Sequence, residues 1–146
     1  MARIYIPFIK SDFRIPLIYF TLGGKDMVAM VDTGSESTLF NQDIPASENF
    51  VTEGTGYVMN LIGLSGETAK QRIFGATATI EVQDEKGETQ SLSVEGILTD
   101  LSYVSKSIGE RSGNNIDVNV IIGSDYMSEN KATIDYKRRR LSIIVK

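Results

Sequence analysis

Apolar positions along the chain recur mostly at a spacing of two rather than 3.6, the signature of strands. The clearest case is residues 71–83, where Ala76, Ala78, Ile80 and Val82 alternate with Thr77, Thr79, Glu81 and Gln83. This stretch predicts one strand with a buried and a wet face. A turn at residues 84–87 (DEKG) and a return strand at 90–98 follow from it. Residues 15–22 (IPLIYFTL) and 27–31 (MVAMV) flank Gly23-Gly24 and read as a hairpin. Residues 58–64 read as extended between Gly56 and Gly66, and 118–122 (VNVII) as a buried strand. Residues 132–135 and 141–145 predict a closing hairpin. Helical spacing is weak and confined to residues 101–108 and 124–129. The polar stretch 105–119 reads as a surface loop after a short helix.

Many short strands punctuated by glycine predict an all-β fold, a barrel or sandwich. The 146 residues fit one domain over 1–146 and suffice for a core without staples. Composition then narrows the chemistry. The chain has no Cys and no His. Disulfides, thiolate metal sites, cysteine nucleophiles and every His-dependent triad or metal site are excluded. Carboxylates, Lys and Tyr remain for acid–base work. Fifteen Lys and Arg against 19 Asp and Glu give a charge of −4, which disfavours nucleic acid as the main partner. No stretch approaches the roughly 18 consecutive apolar residues of a membrane span. The apolar run 4–9 is short and contains Pro7, unlike a signal-peptide core. The expectation is a soluble chain without membrane partner, signal peptide or transmembrane segment, its compartment unknown.

The feature that carries chemistry is Asp32-Thr33-Gly34-Ser35, placed directly after the apolar run MVAMV. It sets a carboxylate where the chain leaves a sheet into a turn that glycine permits. An Asp-X-Gly turn between strands is the plainer account of the same residues. Far downstream, Asn119-Val120-Ile121-Ile122-Gly123-Ser124-Asp125 runs from an apolar strand through a glycine into a possible short helix. Asp125 reads as a structural residue that caps the helix or holds a turn. Between the two lies Leu61-Ile62-Gly63-Leu64-Ser65-Gly66-Glu67-Thr68, with the composition of a mobile hairpin tip and Glu67 facing solvent.

In this order these segments resemble the retropepsin-like, single-domain aspartic proteases of the non-retroviral type, over most of the chain. The resemblance implies a closed β-barrel of the acid-protease type, one lobe per chain, with one short helix in the C-terminal half. It implies Asp32 as the catalytic aspartate, Thr33 as a brace between two signature loops, and Gly34 beneath the substrate. Ser35 and Glu36, the flap residues Ile62, Gly63, Leu64, Ser65 and Gly66, and the wall residues Val120 and Ile122 are its substrate-binding counterparts. Ile122 and Gly123 match the segment that packs behind the catalytic loop.

Only one Asp-Thr-Gly occurs, so the two-carboxylate chemistry requires a homodimer with Asp32 and Asp32′ at the two-fold axis. The expected activity is an aspartic endopeptidase acting on peptide or protein substrates with neither metal nor organic cofactor. Retroviral members carry an Arg where this chain has Ser124, leaving Glu36 without its usual cation. A catalytically silent binding or assembly module of the same fold is the alternative. The basic run Lys137-Arg138-Arg139-Arg140 reads as a solvated edge between strands.

Overall fold

The strict alternation of residues 75–83 and the unbroken apolar runs of 27–31 and 118–122 demand different surroundings, and the computed structural model supplies them. It describes residues 2–11, 14–53, 57–62, 68–113 and 115–145, with 57–62, 68–73 and 112 as backbone only. Strands β1 (Ala2–Pro7), β2 (Leu17–Leu22), β3 (Lys25–Val31), β4 (Leu39–Asn41) and β5 (Phe50–Thr52) come first. The hairpin β6 (Tyr57–Ile62) and β7 (Thr68–Ile73) follows, then β8 (Gly75–Gln83), β9 (Thr89–Thr99) and helix α1 (Ser102–Ser112). The chain closes with β10 (Val118–Ile122), helix α2 (Ser124–Glu129), β11 (Thr133–Asp135) and β12 (Arg140–Val145).

Strands make up 50% of the chain, and six of them close a barrel. The ring runs β2-β3-β10-β4-β9-β8 and returns to β2, with β5 added outside β8. A single pair, Thr21 opposite Glu81, joins β2 to β8. Within this ring β10 lies parallel to β3 and antiparallel to β4, while β4 lies parallel to β9. A second sheet, β1-β12-β11, joins the two ends of the chain and lays Ile4, Ile6, Leu141 and Ile143 against the barrel core.

On β8 the alternation holds: Ala76, Ala78, Ile80 and Val82 are buried and Thr77, Thr79, Glu81 and Gln83 exposed. The apolar runs of β3 and β10 are buried on both faces, as such runs must be. Their inner residues Ala29, Val31, Val120 and Ile122 fill the barrel. Their outer residues Met30, Val118 and Ile121 form a second core with Leu101, Val104 and Ile108 of the α1 segment. A register shift between Val118 and Val120 switches the face, so these two residues serve different cores. The side-chain carbonyl of Asn119 accepts the Val28 N–H at 3.1 Å beside that bulge.

The Gly23-Gly24 turn has positive φ at both residues, 58° and 81°, and pairs Leu22 with Lys25 as a tight hairpin requires. Three expectations change. The stretch expected as one strand over 71–83 is two, β7 and β8, separated at Phe74. The described residues hold two helices rather than one. The expected loop from 105 is helix as far as Ser112, because Ile108 continues the apolar stripe onto the second core and Gly113, at φ 72°, ends it. Strands β4 and β5 carry no strong pattern of their own and form by pairing with longer neighbours, and β1 forms by pairing along its whole length with β12.

The basic run is an exposed turn between β11 and β12, as expected, and two of its four charges are paired. Arg138 pairs with Asp135 at 3.1 Å. Arg140 is half-buried, pairs with Glu85 at 2.9 Å, and stacks its guanidinium 4.0 Å from the Tyr5 ring centre. Among the described residues no helix is long and apolar enough to cross a membrane.

Three aspartates hold turns in their charged form. Burial alone would raise the Asp84 pKa, but hydrogen bonds from the Glu88 N–H, the Gln90 amide and the Lys86 N–H outweigh it and hold the carboxyl below its ordinary value. The Ser102 N–H lowers Asp100, and the Arg138 N–H and guanidinium lower Asp135. Carboxyls depressed in the folded state stabilise it above their unfolded pKa, and that stability is lost as pH falls through about 4 and below. Thermal unfolding is therefore expected to show a flat midpoint near neutrality and a steep fall below about pH 4. The Asp84→Asn variant should lose stability at pH 7 and show a shallower acid limb; an unchanged acid limb would refute the assignment.

Candidate functional site

Val31 is the last buried residue of β3, and Asp32 continues the ladder one step beyond it by donating its N–H to the Ile122 carbonyl at 3.0 Å. The chain then turns, with the Ser35 N–H donating to the Asp32 carbonyl at 3.1 Å. Inside this turn the Gly34 N–H donates to Asp32 Oδ1 at 2.9 Å. A Cβ on Gly34 would stand 3.2 Å from the same oxygen, tighter than ordinary contact, so glycine suits this close approach. Asp32 is half-buried, and Thr33 and Gly34 are exposed. The result is a half-buried carboxylate fixed by one backbone donor at the end of β3.

The loop rests on Gly123. A Cβ there would lie 2.6 Å from the Ser37 carbonyl oxygen and 2.7 Å from that of Ser35, closer than any side chain can come. The Ser124 N–H donates to the Ser35 carbonyl at 2.8 Å and the Asp125 N–H to the Glu36 carbonyl at 3.2 Å. Asp125 binds Thr38 twice, taking its N–H on Oδ2 at 3.0 Å and its hydroxyl on Oδ1 at 2.8 Å. That hydroxyl in turn accepts the Gly123 N–H at 3.1 Å. Asp125 Oδ1 also accepts the Tyr126 N–H, at 2.7 Å, within the first turn of α2. Asp125 is thus a brace, as its place in the sequence suggested. Thr38, fully buried at 0% exposure, is the partner the sequence did not announce. It sits in a polar run, SEST, whose composition reads as loop.

The remaining expected site residues fall in different places. Ser35 is half-buried and donates its hydroxyl to the Ser37 carbonyl at 2.7 Å. Glu36 is exposed and makes no ion pair among the described residues. Ser124, where a cation would have faced it, is half-buried and acts through its backbone. Val120 and Ile122, expected as cleft walls, are 2% and 3% exposed and lie within the barrel core. Ile62 ends β6 opposite Thr68, in a two-stranded sheet separate from the barrel. Gly63, Leu64, Ser65, Gly66 and Glu67 lie outside the described residues. The hairpin joins the barrel at Phe74, where the Glu53 N–H donates to the Gly75 carbonyl at 3.0 Å.

Chemically, a half-buried carboxylate held by one backbone donor can accept or donate a proton. Comparison with protein-family models finds no match for this chain, and neither does comparison with curated proteins.

The Thr38 hydroxyl is a sharp place to test the brace. Thr38→Val keeps the shape but leaves the Gly123 N–H and an Asp125 oxygen without that partner. The expected cost is about 1–3 kcal/mol of folding stability by urea denaturation. A change within about 0.5 kcal/mol, the range of an indifferent surface substitution, would refute the assignment.

Proposed function

We propose that the protein is an aspartic endopeptidase that works as a homodimer, with Asp32 of each copy forming a shared dyad. The observation that carries this reading is the Asp32 turn: a carboxylate at the end of β3, held by the Gly34 N–H at 2.9 Å and backed by a glycine that admits no side chain. The exposed Thr33 leaves a hydroxyl available to a second copy. The six-stranded barrel and the separate β6–β7 hairpin agree with one lobe and its flap.

In the proposed reaction two carboxylates a few Å apart cannot both ionise cheaply, so they hold one proton between them. The ionised member takes a proton from a water lying between the pair. The protonated member hydrogen-bonds the scissile carbonyl and protonates it as the water oxygen adds to the carbon; the proton taken from the water then passes to the amide nitrogen as the C–N bond breaks, and the pair takes back one proton from the new carboxyl group. The titration belongs to the pair, so activity follows two apparent pKa values rather than one residue's. The hairpin would cover the substrate backbone and exclude water.

A second reading rests on Glu36 and Ser124: without a charged brace at this point, the chain is a monomeric binding module of the same fold. The two readings part in one experiment. A diverse peptide mixture is incubated from pH 3 to 7 with wild type and with Asp32→Asn, and sedimentation is run on both. The endopeptidase reading expects a dimer, an acidic to mildly acidic optimum, and a rate lower by about a hundredfold to ten-thousandfold in the variant. Cleavage by Asp32→Asn at the wild-type rate would end it. A folded monomer that cleaves nothing would favour the binding module.

A further inference from the structure

The end of the barrel remote from Asp32 holds a cleft of about 510 Å³. Lys25 opens β3 there, and Asp32 follows the other end of the same strand, about 20 Å away at the rise of an extended chain. The cleft lies between the start of β3, the end of β4, the first turns of α1 and the bulge of β10. Three half-buried polar side chains from β4, α1 and β10 line it: Asn41, Ser105 and Asn119. Each gives its oxygen to a backbone donor. Asn41 Oδ1 accepts the Leu101 N–H at 3.3 Å, Ser105 Oγ the Val118 N–H at 2.9 Å, and Asn119 Oδ1 the Val28 N–H at 3.1 Å. The hydrogens of both side-chain amides and of the hydroxyl are left with no acceptor among the described residues. No fully enclosed side-chain nitrogen or oxygen among the described residues lacks a partner, so these donors are reached from outside. Half-buried donors held in place without an acceptor are satisfied by the oxygen of water or of a ligand.

Charges of both signs surround these donors. Lys25, Lys106, Asp43 and Asp117 line the same cleft, are exposed, and make no ion pair among the described residues. A simple anion would be drawn to the lysines and repelled by the aspartates, and a simple cation the reverse. A molecule that carries both charges pairs with both sets. The side-chain amides and the hydroxyl offer hydrogens only, which matches a carboxylate, whose oxygens only accept. Met27 and Ile44, both buried, and the half-buried Ile116 add apolar surface at the same cleft. Apolar lining with a few convergent polar groups is the make-up of a small-molecule site, and the volume is in the range such sites have.

We propose that this cleft binds a small zwitterion with an aliphatic side chain, a free amino acid or a dipeptide. Its carboxylate is taken by the Asn41, Ser105 and Asn119 donors and the two lysines, its ammonium by Asp43 and Asp117, and its side chain by Met27, Ile44 and Ile116. The site stands apart from the Asp32 turn and does not require Asp32 to be catalytic.

The test is an amide NMR titration of the intact chain at pH 7. The probes are leucine, leucyl-leucine, N-acetyl-leucine, which lacks the ammonium, and leucinamide, which lacks the carboxylate. Saturable shifts are expected on residues 25–28, 41–44, 102–106 and 115–119 with the two zwitterions, and an affinity lower by about tenfold with either singly charged probe. Lys106→Gln and Asp43→Asn, both at exposed positions, should each weaken leucine binding about threefold to fivefold. Leucine binding at least as tightly as leucyl-leucine assigns the site to free amino acids, and the reverse order assigns it to dipeptides; either supports the proposal. No saturable shift with either zwitterion, singly charged probes binding as well as leucine, shifts confined to other parts of the barrel, or an unchanged affinity in both folded variants would overturn it.

Discussion

The buried hydroxyl of Thr38 is the constraint on which the candidate site depends. A polar group with no access to water must have its hydrogen bonds made within the protein. Here its donor goes to Asp125 and its acceptor takes the Gly123 N–H, while the Thr38 carbonyl accepts the Ile97 N–H at 3.0 Å. One residue therefore ties the β4 entrance to β9, β10 and α2. The tie sets how near Gly123 comes to the carbonyls of Ser35 and Ser37, and so sets the path of the Asp32 turn. The brace uses neutral donors and a single carboxylate, an arrangement less exposed to screening by salt than an ion pair.

Two cores share the strands that lead to the site. The barrel interior is one, and the layer beneath α1 is the other. Because β3 and β10 are sandwiched between them, neither strand can slip by one residue without moving an apolar set to the wrong side. The bulge at Asn119 is where β10 changes face, and the Asn119 carbonyl takes the Val28 N–H there. Asp32 thus extends from a strand fixed on both faces, which holds its position firmly.

Much of this was legible in the sequence. Alternation located β8, the Gly-Gly pair located its hairpin, and the bounds of β10 and α2 matched the pattern at residues 118–122 and 124–129. What escaped has physical reasons. Strands β4 and β5 are three residues each and exist by pairing, which no local pattern encodes. The later turns of α1 hide in a polar run, because one residue, Ile108, is enough to continue its stripe. Val120 and Ile122 look like any apolar residues near a motif, and only the packing shows that they face inward. Thr38 and the Asn119 carbonyl act on partners far away in sequence, and a hydroxyl or amide carries no mark of its distant partner.

The long reach of the pairings bears on the order in which the molecule assembles. The β2–β3 and β8–β9 hairpins zip from short turns, so they can form as soon as their own residues exist. The Asp32 turn has no such independence. Its ladder partner is Ile122, its floor is Gly123 and its brace is Asp125, so the early segment stays unshaped until the late one arrives. During synthesis the carboxylate is present long before the geometry around it, and a ribosome-bound chain halted after β9 would carry Asp32 without its site. The fold thereby separates the appearance of the carboxylate in time from the appearance of the turn that holds it.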